Sequence, residues 1–408
     1  MRARLAALNF YYGWIVVAAC FLAAGSLFGM TYSFSVFFDA LRGEFAVSPA
    51  RVSLVFGVQT AAIYVGGAGL GRALDRVGPR KLLAVGALLL SGGMLVAARA
   101  DSYALLVAGY GLTTGLGMGC CYVVAYATVP SWFGRRRGFA NGIAAAGLGA
   151  GLLVVVPASS WLLGELGWRG AFEALAVGLF AVLALATTVL AARPEAVGAD
   201  LSVEFPNGRG DGEGSSDGSV RATVLSLPFL FVVLGWAGVY ATLYVLVNHL
   251  VPFAATQGIR WAGVTAISAL GVATSAARLG IGYVSDRTGR VRVFVACSVL
   301  MGLCLLALPF AQGPAAILAV AIVFGVGYGG NGALLSPLVA DLFGLDDIGT
   351  LYGIASVAFA LAGLSAPPLA TAAFESIGEY TLVFLVTGVV GLLGAGFVAA
   401  AGRTAPAR

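Results

Sequence analysis

The chain has 408 residues, 60% of them apolar and only 10% charged, with a net charge of +5 and a mean hydropathy of +0.97. An ordinary soluble domain carries about 25% charged residues, so there is too little polar surface here for a water-soluble body. The small basic excess is explained by topology below and gives no support to nucleic-acid binding.

A helix needs about 20 apolar residues to cross a hydrocarbon core of about 30 Å. Stretches of that kind run at roughly 12–38, 51–75, 81–99, 103–130, 138–164 and 170–192, then at 226–252, 262–284, 293–311, 314–341, 349–374 and 380–401. They are continuous and rich in Gly, Ala and Leu, without the ten-residue alternation of a membrane barrel, and helices are the other way to satisfy backbone polar groups in lipid. The predicted fold class is therefore all-α, a polytopic membrane protein of 12 transmembrane helices. The first span begins near Tyr11 and is too long for the apolar region of a signal peptide. Assigning both termini to the cytoplasm places 17 Arg and Lys residues inside and five outside, namely Arg42, Arg51, Arg99, Arg169 and Arg260. That excess fixes the expected orientation by the positive-inside rule. All five cysteines fall within spans at irregular spacing, which predicts packing residues and neither disulfides nor a metal site.

One charged turn is written twice. Gly71-Arg-Ala-Leu-Asp75-Arg76-Val-Gly78 returns 211 positions later as Gly282-Tyr-Val-Ser-Asp286-Arg287-Thr-Gly289. The same offset matches Asn141-Gly142-Ile143-Ala144 to Tyr352-Gly353-Ile354-Ala355, and Pro157 to Pro368. Between the halves the composition changes to Gly, Ser, Asp and Glu, as expected of a flexible solvated linker. The predicted organisation is a six-helix bundle at 1–192, a cytoplasmic linker at 193–225 and a second bundle at 226–408. Duplicated bundles of this kind carry their site near the bilayer midplane at the repeat interface and work by alternating access. The 59 glycines, many at small-xxx-small spacing, predict close helix packing.

With these residues in view, the chain resembles the major facilitator superfamily over nearly its whole length. The family signature between spans 2 and 3, G-x-x-x-D-R-x-G-R-[KR], fits Gly71, Asp75, Arg76, Gly78, Arg80 and Lys81 with Pro79 interposed. A degenerate copy fits Gly282, Asp286, Arg287, Gly289, Arg290 and Arg292. The resemblance implies a gating role, the Asp facing the N-terminus of the following helix and nearby Arg side chains. Gly13-Trp14, Tyr32-Ser-Phe-Ser-Val-Phe-Phe38, the run from Trp132 to Gly142, and Val339-Ala-Asp341-Leu-Phe-Gly344 look like the monocarboxylate and oxalate/formate branch.

Arg278 is the one fixed cation deep in a span. It stands eight residues before Asp286, about 12 Å from that helix end at 1.5 Å per residue. A guanidinium near the midplane is costly and marks a ligand or ion pathway by default. None of the 18 acidic residues falls in mid-span, so the counter-charge expected for it is a carboxylate substrate, which an Arg fork binds bidentately. Its sequence context also resembles the span-8 Arg of carboxylate transporters. Tyr122, Tyr328, Asn331 and Phe359 lie at similar depth, and Tyr32 closes span 1. Together they would form a small, mostly apolar cage suited to a short organic monoanion. The bland alternative for each aromatic is packing. Gln59, Tyr240 and Tyr244 would extend a polar path.

Departures from the family sharpen the expectation. Span 11 holds no Lys, where oxalate transporters carry a second cation. Animal-type monocarboxylate transporters have a Lys late in span 1 and an Asp four residues before the span-8 Arg, and those positions are Tyr32 and Thr274 here. The proton would then have to be handled elsewhere, and His249, the only histidine, is the candidate by its titration range, a structural histidine being the alternative. The expectation is a monocarboxylate carrier in the cell membrane, functional as a monomer, with an organic anion as partner beside the lipid bilayer and no cofactor or metal; uniport, symport with protons and exchange all stay open. A drug or sugar carrier of the same superfamily is the nearest rival, and an exchanger for oxalate/formate-type dicarboxylates is a further alternative. A drug carrier is disfavoured because span 4 has no Arg and span 5 no Gly-Pro pair, and a sugar carrier because amides and acids are few. An enzyme would need a nucleophile or metal constellation, which one His and scattered carboxylates do not supply. A membrane sensor on the same fold remains as the reading outside transport.

Overall fold

The computed structural model describes residues 11–191 and 217–404. Within them the chain is nearly all helix: α1 (Gly13–Phe45), α2 (Pro49–Tyr64), α3 (Gly67–Val77), α4 (Pro79–Ala98), α5 (Tyr103–Leu106), a π-helical turn (Val107–Thr113), α6 (Thr114–Ala127) and α7 (Arg137–Val189). After the central segment come α8 (Asp217–Val224), α9 (Leu227–Thr256), α10 (Arg260–Thr288), α11 (Arg290–Ala307), α12 (Gly313–Phe343), α13 (Ile348–Ala355), α14 (Val357–Ile377) and α15 (Tyr380–Thr404). Ten helical stretches are long and apolar enough to span a membrane, and the pair Leu54–Tyr64 and Gly69–Val77, bent by 43°, makes an eleventh. Helix α7 is two spans in one, broken where Gly167 takes φ 67°. Twelve spans result among the described residues.

Two differences from the sequence reading concern boundaries. Span 2 is bent around Val65 and Gly66, where its helix is interrupted, and the end of the expected linker is helical, since Asp217–Val224 forms α8. The rest of that linker, 193–216, lies outside the described residues.

The chain divides into two compact units: Met1–Gly214 with Leu345–Ile354, and Ser215–Gly344 with Ala355–Arg408. Residues 345–354 thus belong by packing to the first unit although the sequence places them in the second repeat. Local signals set many helix starts. Ser48, Ser102 and Ser226 accept from the backbone N–H three residues on, and Pro49 and Pro228 occupy the first turn, where a missing N–H costs nothing. The last glycine of each motif copy closes a helix at positive φ, 82° at Gly78 and 98° at Gly289, a conformation that penalises any Cβ. The following helix starts at the next residue in both halves.

The duplication is visible at single-residue level. In the first unit a Cβ on Gly115 or Gly119 would fall against the carbonyl oxygens of Gln59 and Ile63. In the second unit Gly325 and Gly329 hold the same relation to Leu270 and Thr274, which stand 211 positions after Gln59 and Ile63. The same four-residue glycine spacing lets the equivalent helices cross at backbone contact twice. Helices α1 and α7 cross in the same manner, Gly25 on Gly147 and Gly29 on Gly151.

Two of the branch-specific motifs meet in one joint. Trp14 lies 4.8 Å from the ring of Phe133 and 6.0 Å from that of Phe139, with the Arg136 guanidinium 5.5 Å above it. A side chain on Gly13 would run into Phe133. At the other end of the unit Arg169 donates to Glu44 at 2.7 Å and to the Ala100 carbonyl at 2.8 Å, while its guanidinium carbon lies 4.3 Å from the Trp168 ring centroid.

That hydrogen bond from Arg169 is the main reason the Glu44 carboxyl titrates below its ordinary range. A carboxylate whose folded pKa is depressed stabilises the fold above its unfolded pKa, about 4.3, and the contribution disappears as pH falls through the folded value. Glu44→Gln is therefore expected to lower Tm at pH 7, with the difference from wild type closing below about pH 3. A pH series of thermal scans checks this. The exposed setting keeps the effect small.

Candidate functional site

In the second unit, Arg278 on α10 is 2% exposed. Its guanidinium carbon lies 5.7 Å from the ring centroid of Tyr328 on α12, a cation–π distance. It rests on the glycine surface of the same helix: a Cβ on Gly332 would come within 2.8 Å of Nη2 and 2.9 Å of Cζ. The absence of a side chain at 332 therefore sets where the fork sits. From Tyr328 a run of rings continues into α9 and α14. Tyr240 meets Tyr328 edge-on at 6.0 Å, Phe359 lies 4.5 Å from Tyr240, and Trp236 stacks on Phe359 at 5.4 Å and 6°. Three of the expected residues, Arg278, Tyr328 and Phe359, are thus joined through Tyr240.

Thr274, at the position where animal-type relatives carry an acid, is buried and donates its hydroxyl to the Gly325 carbonyl at 3.2 Å. This locks α10 to α12 one turn from Arg278 without adding a charge. Gly332→Ala should press on the far end of a long side chain, leaving stability nearly unchanged while shifting the guanidinium. The expected result is a KM about tenfold higher, read from initial uptake rates in vesicles.

The remaining expected residues lie elsewhere. Asn331 donates to Ser298 Oγ at 3.1 Å and Met301 Sδ at 3.3 Å, so its amide ties α12 to α11. In the first unit Tyr122 accepts a 2.7 Å hydrogen bond from Tyr352 and stacks on it at 5.4 Å, with Tyr126 and Tyr64 against the same ring. Tyr32 is 43% exposed and lies 6.5 Å from Phe28. His249 is buried against Tyr380, ring centroids 5.7 Å apart.

The first motif copy makes a contact other than the expected one. Asp75 does not cap the helix that follows it. Its oxygens accept from Gly349 N at 3.0 Å, Thr350 N at 2.7 Å and Thr350 Oγ1 at 2.6 Å, at the start of α13. Helix α13 can come this close because both surfaces are glycine. Gly67 lies over the Gly353 carbonyl and Gly71 over that of Gly349, two four-residue glycine spacings face to face. The second copy is closed by side chains: Arg290 donates through Nη2 to Asp286 at 2.8 Å and through Nη1 to both carboxylate oxygens of Asp341 at 2.8 and 2.9 Å. Asp341 belongs to the span-10 motif that carried the family resemblance, and this pairing explains its place. Arg287 lies over Tyr283 at 4.1 Å. Thr350 and Trp236 carry no signal in the sequence reading, and Tyr352 enters it only through the repeat match; the spacing Gly349-x-x-x-Gly353 is the available signal for Thr350 and Tyr352.

Two repeats of apolar helices, each closed by the same charged turn, with a buried guanidinium in one, define a multi-pass membrane transporter. The family model of the Major Facilitator Superfamily matches residues 19–280 and 258–408. Monocarboxylate transporter 11 of Homo sapiens is 31% identical over 404 residues, covering 94% of this chain and 81% of that protein. Monocarboxylate transporter 13 of Rattus norvegicus is 28% identical over 394 residues, covering 94% and 88%. Among solved structures, the proton:xylose symporter XylE bound to 6-bromo-6-deoxy-D-glucose superposes with a TM-score of 0.77 at 17% identity over 97% of this chain and 96% of that one. FucP in the outward conformation gives 0.75 at 13% identity over 95% and 99%. The chain belongs to the major facilitator superfamily, in its monocarboxylate transporter branch. The two structures, at these identities, establish the fold and carry no argument about substrate.

Proposed function

We propose that this protein carries a short organic monoanion, a monocarboxylate such as lactate or pyruvate, across the cell membrane by alternating access and together with a proton, with both termini cytoplasmic. The observation that carries the reading is the buried Arg278 fork set against Tyr328 and the Tyr240–Phe359–Trp236 rings. One cation with an apolar surround fits one carboxylate on a small apolar body, since the carboxylate takes the bidentate bonds and the rings take the rest. A dianion would need a second cation, and span 11 offers none. Relatives named as monocarboxylate transporters support the same substrate class.

In this reading Asp75 holds α13 against α3, and release of α13 is a step of the transport cycle. His249 is the proton site, and the protein works as a monomer. The test is a thermal-shift screen of purified protein against mono- and dicarboxylates, sugars and cationic drugs. A ligand at 100 times its Kd stabilises the folded state by about 2.7 kcal/mol, so monocarboxylates are expected to raise Tm measurably. A response confined to dicarboxylates, sugars or drugs would reject the assignment.

A further inference from the structure

The second unit carries a cleft of about 500 Å³ walled by α9, α14 and α15, a volume in the range of ligand sites. Its floor is the crossing of α9 and α15, where bare backbones touch: a Cβ on Gly238 would meet the Val390 carbonyl, and one on Gly394 that of Gly235. Helix α14 forms the remaining wall. Beyond the cleft α14 and α15 close on each other, Phe374 stacking on Tyr380 at 4.1 Å.

The chemistry of the walls decides what can lie there. Only Ser365 and Thr387 among the lining side chains carry a polar atom, and each hydroxyl donates to a carbonyl of its own helix, Leu361 at 2.6 Å and Val383 at 2.7 Å. With no charge and no free hydrogen-bonding group on offer, the fitting occupant is hydrocarbon. Leu361, Leu369, Val386 and Leu393 on the rim are exposed, and all three helices are long and apolar enough to cross a membrane, so the cleft opens sideways into lipid. The wall from Leu382 to Phe397 runs about 22 Å at 1.5 Å per residue, against about 15 Å for the hydrocarbon of one leaflet. A whole acyl chain fits along it.

The ring stack of Phe374 and Tyr380 shuts one end, so a chain would enter from the end at which α15 terminates. There a Cβ on Gly402 would meet Val291 of α11, which sets the last turn of α15, with Arg403, beside the first turn of α11, with Arg292. Both arginines are exposed. Neither has a carboxylate partner among the described residues, since Asp286 and Asp341 are held by Arg290. In the orientation proposed above this is the cytoplasmic headgroup level, where anionic lipids are found.

We propose that the cleft is a lipid site: one acyl chain of an anionic phospholipid of that leaflet lies between α14 and α15, with its headgroup at Arg292 and Arg403. The chain backs the aromatic wall of the candidate site from the lipid side. Ala237 and Ala241 line the cleft one residue after Trp236 and Tyr240, and Leu361 and Ala362 line it two and three residues after Phe359. The same two helices thus present rings to one another and apolar backs to the lipid. This inference is independent of which anion is carried.

The test uses the full chain, stripped of lipid and titrated with dioleoyl phosphatidylglycerol or dioleoyl phosphatidylcholine. Lipid retained per chain is read by native mass spectrometry, and Tm is read on the same samples, since binding to the folded state raises it. One phosphatidylglycerol is expected per chain, held at least tenfold more tightly than phosphatidylcholine. Ala366→Phe and Val386→Phe, which fill the cleft from opposite walls, each lose that lipid; Val386 is exposed, so its variant serves if the other does not fold. Arg292→Gln combined with Arg403→Gln keeps a bound lipid and loses the headgroup preference. Leu153→Phe, at an exposed apolar position of α7 in the first unit, retains lipid as wild type does. Retention undiminished by both cleft variants, or diminished as much by Leu153→Phe, would mean annular lipid only and overturn the site. Equal retention of the two phospholipids by the wild type would overturn the anionic headgroup assignment. A two-chain complex abolished by the cleft variants would make a second copy of the chain the occupant in place of lipid.

Discussion

Arg278→Ala is expected to lower kcat/KM for lactate or pyruvate uptake by a factor of about 10² to 10⁴, while the protein still folds and inserts. The factor follows from the bonds at stake: two hydrogen bonds to a charged group, each contributing about 1.5–3 kcal/mol, amount to two to four decades at 1.4 kcal/mol per decade. Folding survives because two effects oppose each other. Truncation removes packing against Tyr328 and Gly332, but it also removes a buried charge whose desolvation costs several kcal/mol. Arg278→Lys separates charge from shape. The ammonium keeps the positive charge but loses the planar fork and its fit over the ring, so an intermediate loss, about 10- to 30-fold in kcat/KM, is expected. Initial uptake rates in proteoliposomes, normalised to inserted protein, check both. Unchanged uptake of monocarboxylates in Arg278→Ala would sink the carboxylate reading.

Much of this was legible in the sequence because lipid imposes strong rules. Backbone groups must be satisfied internally, so apolar length alone marked the spans, and an interrupted charged turn at an offset of 211 marked the repeat. Arg278 stood out for the same reason: a fixed cation far from a helix end is rare enough to be informative. The partners were harder to see. Tyr328 and Phe359 were placed by depth along a helix axis, which says nothing about azimuth. Asn331 has the right depth and faces α11 instead. Trp236 is one of many aromatics in spans, and only its stacking on Phe359 sets it apart.

The contact of Asp75 was least accessible, since its acceptor atoms bind residues 274 and 275 positions later. Local logic pointed to the next helix start, where Pro79 supplies no N–H. The three-dimensional answer uses a helix start with donors to give, Gly349 and Thr350. Close approach of backbones made that choice available. The position equivalent to Arg278 in the first repeat is Gly67, and it is where α13 docks through Gly353. One repeat position thus holds a buried cation in one half and a bare backbone surface in the other, the physical content of the broken symmetry.

Asp75→Ala is expected to release α13. The carboxylate accepts three hydrogen bonds, two from the first-turn N–H groups of α13 and one from the Thr350 hydroxyl, and those N–H groups have no intrahelical acceptor of their own. A helix of eight residues is too short to persist without such support. Bonds to a charged acceptor contribute about 1.5–3 kcal/mol each, and the favourable interaction of the carboxylate with the helix N-terminus is lost with them. The glycine crossing and the Tyr352–Tyr122 hydrogen bond remain, so the segment is loosened locally and the fold persists. Hydrogen exchange across 348–355 is expected to accelerate by a factor of at least 10² in Asp75→Ala, corresponding to about 2.8 kcal/mol at 1.4 kcal/mol per decade, with little change in α1 or α9. Asp75→Asn keeps one acceptor oxygen and loses the charge, so it should fall between. Gly71→Leu tests the same docking from the steric side, because any Cβ there meets the Gly349 carbonyl; it should raise exchange in the same segment although Asp75 is intact. If exchange across 348–355 is unchanged in both variants, Asp75 is not what holds α13, and the proposed release step loses its basis.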